Sequence, residues 1–195
     1  MPLVVNLFGG PSIGKSTIAM GVAYELKLHF VNAELVTEFA KDLVWEESYK
    51  NLNNQLYMFA NQHHRMFRCG EKVDVLVTDS PILLPLIFGK IYNSNMSQEL
   101  KNLIQSEFKR ENSLNIMLQR TLPYVEIGRV QTEEEAKRID QMIVDTLDEE
   151  QYDYHLLPTS KKAAKTVAEL TLSKLQSMKH EKEKQRKIHV GSMQQ

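Results

Sequence analysis

Apolar runs alternate with longer amphipathic segments along the whole chain. The runs predict β-strands at residues 3–8, 29–37, 73–78, 114–119 and 152–157. Apolar residues spaced by three or four positions predict helices at 16–28, 39–47, 51–69, 82–92, 97–110, 133–149 and from 160 to about 178. Strands that alternate with helices in this way are typical of a parallel sheet. We therefore predict an α/β fold, with a five-stranded parallel sheet covered by helices on both faces.

Two of the predicted helices carry further signals. In segment 51–69 one helical stripe is expected to lie mostly in the core, and it comprises Leu52, Leu56, Phe59, Ala60, His63 and Phe67. The charged helix at 133–149 follows Thr132, which can cap it, with Glu135 three residues on as the reciprocal partner.

A glycine-rich stretch joins the first strand to the first helix. Residues 9–17, GGPSIGKST, match G-x-x-x-x-G-K-[ST] at every fixed position. Glycines let the backbone curl so that N–H groups point at a phosphate, and the following helix directs its positive dipole end to the same place. We predict that Lys15 reaches the β and γ phosphates of ATP and that Ser16 holds Mg²⁺; an ordinary glycine turn is the alternative. The predicted nucleotide-binding residues are Gly10, Pro11, Ser12, Ile13, Gly14, Lys15, Ser16 and Thr17.

Two acidic residues follow predicted strands. Asp79 ends the buried strand 73–78, where P-loop proteins place a carboxylate that holds Mg²⁺. An aspartate capping the next helix, with Pro81 in its first turn, is the other interpretation, and both can hold at once. Glu38 ends the second strand, and open α/β sheets bind their ligands at the carboxyl ends of strands.

The polar stretch after the fourth strand contains two arginines that suit a lid. A mobile segment that closes over phosphates excludes water and delivers positive charge. Arg129 follows Gly128, which permits hinging, and Arg120 stands at a strand's carboxyl end. We predict a lid at about 120–149 with both arginines in catalytic roles, against the alternative of solvated surface arginines.

Composition narrows the class of protein. The chain has 195 residues and a net charge of −1, so it lacks the basic field of a general nucleic-acid binder. No apolar run is long enough to cross a bilayer and no cleavable leader is evident, so we expect a cytoplasmic protein. Cys69 is expected to be a reduced, half-buried thiol. We predict one domain over 1–178 and a charged, flexible tail over 179–195, whose lysines leave a weak nucleic-acid contact open.

The order of these segments resembles the nucleoside and nucleotide kinases among P-loop proteins. More narrowly, it resembles the AAA-domain kinase-like family that includes ribosylnicotinamide kinase domains and phage nucleotide-kinase homologues. The resemblance reaches about residue 178 and rests on GGPSIGKST (9–17), VTEFAKDL (36–43), NQLYMFANQHHRMF (54–67), VLVTDSP (75–81), RTLPYVEIGR (120–129) and LLPTS (156–160).

The resemblance implies roles for individual residues. Glu38 would serve as the base or metal partner for the acceptor hydroxyl, and Gln62 would read the nucleobase. Arg120 and Arg129 would contact the phosphates, and the loop containing Thr159 would lie near the adenine of ATP. The expected activity is transfer of the γ-phosphoryl group of ATP, with Mg²⁺, to a nucleoside, a nucleotide or a related acceptor.

The sequence also departs from its relatives. Deoxynucleoside kinases carry an arginine directly after the acidic residue of strand three, whereas Ser80 and Pro81 follow Asp79 here. The acceptor therefore stays open between a nucleoside, a nucleoside monophosphate, ribosylnicotinamide and a modified base in DNA, and a homodimer also stays open.

A nucleotide-driven switch or motor is the alternative function. The chain lacks the N-K-x-D element of GTPases, and Ser80 occupies the place of a motor's water-polarising glutamate. A metal pair at His63 and His64 is a weaker idea, because adjacent helical side chains point apart.

Overall fold

The computed structural model describes residues 1–70, 72–92, 95–121, 123–124 and 132–192. The strands are β1 (Leu3–Phe8), β2 (Ala33–Val36), β3 (Val75–Thr78), β4 (Asn112–Gln119) and β5 (His155–Pro158). The helices are α1 (Lys15–Leu28), α2 (Ala40–Trp45), α3 (Gln55–Gly70), α4 (Leu84–Ile91), α5 (Gln98–Arg110), α6 (Glu133–Glu149) and α7 (Ala163–Ser192), with a 3-10 helix at Tyr49–Asn53.

All five strands are parallel and form one sheet in the order β2-β3-β1-β4-β5. β1 is central, and its Val5 lies opposite Val77 of β3 and Leu114 of β4. β2 and β3 are in register at their last residues, Val36 and Thr78. The loops after β1, β2 and β3 therefore leave the sheet at one edge. The predicted fold class is confirmed.

Helices cover both faces of the sheet, and the alternation of side chains along β1 shows why. Leu3, Val5 and Leu7 point into a core formed with α1 and α7. Val4 and Phe8 point to the opposite core, which α3, α4, α5 and α6 complete. A strand with apolar residues on both faces needs two such layers, which is why every residue of β1 except Asn6 is apolar.

Helix α3 presents a different face to the core from the one that the sequence predicts, so that prediction is wrong. Leu56 and Phe67 are 56% and 72% exposed. The buried positions are Gln55, Phe59, Gln62 and Met66. Two of the four are glutamines, and each has its amide hydrogen-bonded within the protein. Apolar residues alone therefore gave the wrong helical phase, because satisfied amides replace them on the buried side.

Helix α6 begins as its sequence predicts and packs as a core element. Thr132 Oγ1 accepts a hydrogen bond from Glu135 N, and Glu135 Oε2 accepts one from Thr132 N, which confirms the capping box. Ile139 and Ile143 of α6 are buried in the second core. Motion of α6 as part of a lid would have to expose this apolar surface. The lid itself stays a prediction.

The other elements differ from the predictions mainly at their ends. β2 starts at Ala33 rather than at 29, because the turn that leaves α1 occupies the preceding residues, with Phe30 at φ 57°. Helix α7 continues to Ser192, so charged residues from Lys179 extend a helix that the sequence predicts to fray. Among the described residues, no helix has the length and apolar character needed to span a membrane.

Candidate active site

The loop between β1 and α1 has a strained backbone that only certain residues allow. Gly9 and Gly14 have φ of 144° and 96°, and Ser12 has φ of 59°. A Cβ on Gly9 would lie 2.8 Å from Ile13 Cγ2, so a side chain there would meet both strain and a clash. Gly14 is the N-cap residue of α1 and supplies no side-chain cap. The loop thus delivers the N-terminus of α1 to the carboxyl edge of the sheet, as an anion site requires.

Lys15 lies over this loop. Its Nζ donates hydrogen bonds to the carbonyl oxygens of Gly9, at 2.6 Å, and Gly10, at 3.0 Å. The ammonium group is therefore held at the loop by backbone oxygens. Its contact with the β and γ phosphates of ATP stays a prediction.

Ser16 and Asp79 meet across the sheet edge. Ser16 Oγ donates to Asp79 Oδ2 at 2.5 Å. Asp79 is 3% exposed, and its Oδ1 is buried without a hydrogen-bond partner among the described residues. β1 and β3 are neighbours, so this contact follows from the topology. A hydroxyl and a carboxylate with an unused oxygen form the hard oxygen set that Mg²⁺ takes alongside nucleotide phosphates, so the residues fit the ion.

Arg120 is fixed against the loop rather than extended from a lid. Its Nε donates to Asp140 Oδ2 at 3.0 Å, and its Nη2 donates to the Pro11 carbonyl oxygen at 2.9 Å. Asp140 Oδ1 in turn accepts from Gly10 N at 2.5 Å. Gly10 has to be a glycine here, because a Cβ would lie 2.7 Å from the Ala136 carbonyl oxygen. The other predicted lid arginine, Arg129, lies outside the described residues.

Asp140 was missed by the sequence analysis. It belongs to α6 and follows directly on Ile139, one turn after the buried Ala136. The only indication in the sequence is that this acidic residue adjoins the apolar stripe of an amphipathic helix, so its side chain lies near the buried face. Nothing in the sequence indicated that its partner would lie 130 positions away in the glycine-rich loop.

Glu38 lies two residues beyond β2, in a segment that α3 holds in place. Phe39 N donates to Gln62 Oε1 at 2.9 Å, and Gln62 Nε2 lies 3.4 Å from the Thr37 carbonyl oxygen. Gln62 is 4% exposed. In this structure its amide therefore anchors the segment that carries Glu38. Its role in reading a nucleobase stays a prediction.

Arg65 is a second residue that the sequence analysis missed. Its Nη1 lies 3.3 Å from the carbonyl oxygen and from Oγ1 of Thr37, and its Nη2 pairs with Asp42. Its guanidinium also lies 5.2 Å from the centroid of the Phe39 ring. Burial lowers the pKa of Arg65, and the nearby positive charge of Arg68 adds to this effect. The signal was its helical spacing of three from Gln62, which places both side chains toward the same segment.

Thr159 is hydrogen-bonded to the segment that carries Arg120. It is 3% exposed, and its Oγ1 donates to the Gln119 carbonyl oxygen at 3.0 Å and accepts from Thr121 N at 3.2 Å. These bonds tie the end of β5 to the residues on either side of Arg120. Contact between Thr159 and adenine stays a prediction.

The paired histidines do not converge. His63 Nε2 lies 3.5 Å from Glu107 Oε2, whereas His64 is exposed. The part of the chain that the structure describes contains no group of three or more His, Cys, Asp or Glu side chains suited to a metal ion.

Comparisons with known proteins identify the family and the fold. A family model described as an AAA domain, AAA_28, matches residues 4–165. We found no significant match among curated protein sequences.

Solved structures with a similar fold include two kinds of protein. One is a NadR protein in complex with NR, with a TM-score of 0.62 and 18% identity over 80% of this chain, which spans only 45% of that protein. The other is the deoxyadenosine kinase of M. mycoides. Its complex with dCMP and dCDP has a TM-score of 0.57 and 20% identity, and its complex with dATP has values of 0.55 and 21%. In both cases the similar region covers 89% of this chain and 99% of the kinase chain. The protein therefore belongs to the AAA_28 family of AAA domains and has the fold of the P-loop nucleoside kinases.

Proposed function

We propose that this protein transfers the γ-phosphoryl group of ATP to a hydroxyl or phosphate of a nucleoside- or nucleotide-type acceptor. The observation that carries the proposal is the contact between Ser16 and Asp79 beside the glycine-rich loop, at the sheet edge to which Glu38 also belongs. A phosphate-binding loop, a metal-binding pair and a second carboxylate would then lie at the same edge of the sheet. Known structures of this fold that hold NR, dCMP and dATP support an acceptor of this class.

The chain's own groups divide the work of phosphoryl transfer. Ser16 and Asp79 would hold Mg²⁺, which neutralises charge on the β and γ phosphates when bound. Lys15 adds a positive charge from the loop. Phosphoryl transfer needs mainly positioning and charge stabilisation, which groups already fixed in the protein supply without reorganisation.

Glu38 is the proposed general base. The acceptor oxygen attacks the γ phosphorus, the bond from that phosphorus to the β–γ bridging oxygen breaks, and ADP leaves with that oxygen. The acceptor's proton passes to the Glu38 carboxylate. For a phosphate acceptor that is already ionised this proton transfer is not needed, and Glu38 would then orient the acceptor or its metal.

A nucleotide-driven switch or motor is the competing function. It would need a group that activates water beside Asp79, and the neighbouring residue is Ser80, whose N donates to Thr78 Oγ1 at 3.1 Å. Ser80 has no carboxylate to act as a base. A kinase acting on a modified base within DNA is a second alternative, which differs only in how the acceptor is presented.

ADP release with and without acceptors tests the proposal. The protein is given ATP and Mg²⁺ alone, and then with nucleosides, nucleoside monophosphates, ribosylnicotinamide or DNA containing hydroxymethyluracil. We expect slow turnover alone and a sharp rise with the true acceptor. General-base assistance contributes about 10² to 10⁴-fold, so Glu38→Gln should remove most of the rise for a hydroxyl acceptor and leave the background.

Glu34→Gln is the matched control, because Glu34 is an exposed residue of the preceding strand. It should behave as the unaltered protein. ATP hydrolysis that no acceptor accelerates would favour the switch or motor. If Glu38→Gln abolished only the slow hydrolysis of ATP without acceptor, that result would also favour the switch or motor.

A further inference from the structure

Asp140 bridges three parts of the site that are distant in sequence. One of its oxygens accepts from Gly10 N at 2.5 Å, and the other accepts from Arg120 Nε at 3.0 Å and lies 3.0 Å from Arg120 Nη2. Arg120 Nη2 also donates to the Pro11 carbonyl oxygen. Helix α6, the end of β4 and the glycine-rich loop are thus joined through one carboxylate.

These contacts fix the orientation of the guanidinium of Arg120. The group is planar, so holding Nε and Nη2 also determines where Nη1 points. Nη1 is buried and has no hydrogen-bond partner among the described residues. Two nitrogens of Arg120 therefore secure it to the protein, and the third keeps its hydrogen-bonding capacity.

The pair also controls the charge beside the loop. The side chains of Arg120 and Asp140 are only 9% and 17% exposed, so water screens them weakly. Without Arg120, the carboxylate would stand uncompensated at the Gly10 N–H and repel a nucleotide phosphate. Without Asp140, Arg120 would keep its charge but lose two of the contacts that orient it.

We propose that Asp140 is a positioning residue for phosphoryl transfer from ATP. It holds Arg120 against the glycine-rich loop before ATP binds, so that Arg120 Nη1 already points to the place of a phosphate oxygen. Helix α6 thereby contributes a residue to the site, Asp140. The inference rests on the proposed function, since it assigns Arg120 to the phosphates of ATP.

Four variants test it: Asp140→Asn, Arg120→Ala, the double variant of the two, and Asp145→Asn as the control. Asp145 is an exposed aspartate of the same helix, hydrogen-bonded only to Gln141 among the contacts that the structure shows. ATP affinity, kcat with the active acceptor and the thermal unfolding midpoint are measured for each. Asp140→Ala, which removes the carboxylate without adding amide N–H groups beside Arg120, replaces Asp140→Asn if the latter does not fold.

A misplaced catalytic group costs about 10²-fold in rate, so Asp140→Asn should lower kcat by about 10- to 100-fold while ATP affinity stays within about threefold. The double variant should bind ATP more tightly than Arg120→Ala alone, because it lacks the uncompensated carboxylate. If Asp140 only stabilised the fold, removing it in addition to Arg120 would not improve the affinity for ATP. Asp145→Asn should change nothing.

Full kcat in Asp140→Asn, or a double variant that binds ATP no better than Arg120→Ala, would overturn the inference. A fall in kcat that accompanies equal losses of ATP affinity and thermal stability would also overturn it. Absence of transfer to every acceptor in the unaltered protein would refute the proposed function alone, because the ATP affinities of Arg120→Ala and the double variant still decide the role of Asp140.

Discussion

The carboxyl group of Glu111 should make the free energy of unfolding of this protein depend on pH. It follows α5, and its carboxyl group is enclosed beside β1, although the residue keeps some exposed surface. Burial raises its pKa to about 7. Hydrogen bonds from Asn6 and Ser113 oppose that rise, and the charge of Glu107 reinforces it. Asn6 Nδ2 donates to Glu111 Oε2 at 3.1 Å, and Ser113 Oγ donates at 3.3 Å.

The direction of the effect follows from proton linkage. The folded protein holds this proton up to about pH 7, whereas an unperturbed glutamate loses it near 4.5. The carboxyl group therefore favours folding most at low pH, and that contribution is lost as the pH rises through about 7. At about 1.4 kcal/mol for each pH unit between the two values, the full loss is about 3 kcal/mol. About 2 kcal/mol of it falls between pH 5 and pH 8.

Glu111→Gln isolates this effect, because an amide oxygen can still accept from Asn6 and Ser113 but cannot ionise. Relative to the unaltered protein, we expect the variant to gain about 2 kcal/mol more at pH 8 than at pH 5. In a domain of this size that gain raises the unfolding midpoint by about 4 to 8 °C. Urea unfolding and calorimetry at both pH values measure it. Glu169→Gln, at an exposed position of α7, is the control and should show no such difference.

An equal effect of Glu111→Gln at pH 5 and pH 8 would refute the reasoning, since a neutral carboxyl and an amide differ little. A variant less stable than the unaltered protein at pH 8 would refute it as well. It would mean that Glu111 is stabilised as a carboxylate.

Two further predictions concern the site. Lys15→Ala should lower transfer by about 10²-fold or more, because it removes a positive charge that would stabilise the phosphates. The unfolding midpoint should stay close to that of the unaltered protein, because Lys15 is only half-buried and its Nζ donates to the loop carbonyl oxygens of Gly9 and Gly10. Normal activity in a folded variant would contradict the nucleotide-binding assignment. Gln62→Leu should raise the KM of the acceptor or relax its choice, spare ATP binding and cost about 1 to 3 kcal/mol of stability, because it leaves Phe39 N without its buried acceptor. Asn61→Leu is the control, because the Asn61 amide donates to the Tyr57 carbonyl oxygen of the same helix. An unchanged acceptor profile in Gln62→Leu would mean that Gln62 does not take part in acceptor recognition.

The parts of the site that the sequence predicts are those that local rules specify. Residues 9–17 bring their own backbone geometry, because the glycines and the following helix are contiguous. The contact of Ser16 with Asp79 needs one more step, the pairing of β1 with β3, which alternating strands and helices already favour. The Thr132–Glu135 capping box is likewise complete within four residues.

The parts that the sequence does not predict depend on the phase of a helix or on distant partners. The inward face of α3 contains Gln55 and Gln62, which only their hydrogen-bond partners allow to be buried. Asp140 faces the glycine-rich loop because α6 packs through Ile139 and Ile143. Periodicity predicts that α6 has an apolar face, but not which loop the adjoining polar position meets.

The fixed position of Arg120 changes how acceptor binding can be coupled to the reaction. An arginine delivered by a lid adds its charge only after closure, and that timing suppresses transfer to water. Arg120 is already secured by Asp140 and by the Pro11 carbonyl oxygen, so its charge is present before any acceptor arrives. It can favour phosphoryl transfer but cannot distinguish the acceptor from water. In the proposed reaction that distinction falls to Glu38, whose segment is held by Gln62 and Arg65, and to the predicted lid residue Arg129. For a hydroxyl acceptor, Glu38→Gln should therefore remove most of the preference for the acceptor over water, whereas Arg120→Ala should slow both reactions by the same factor.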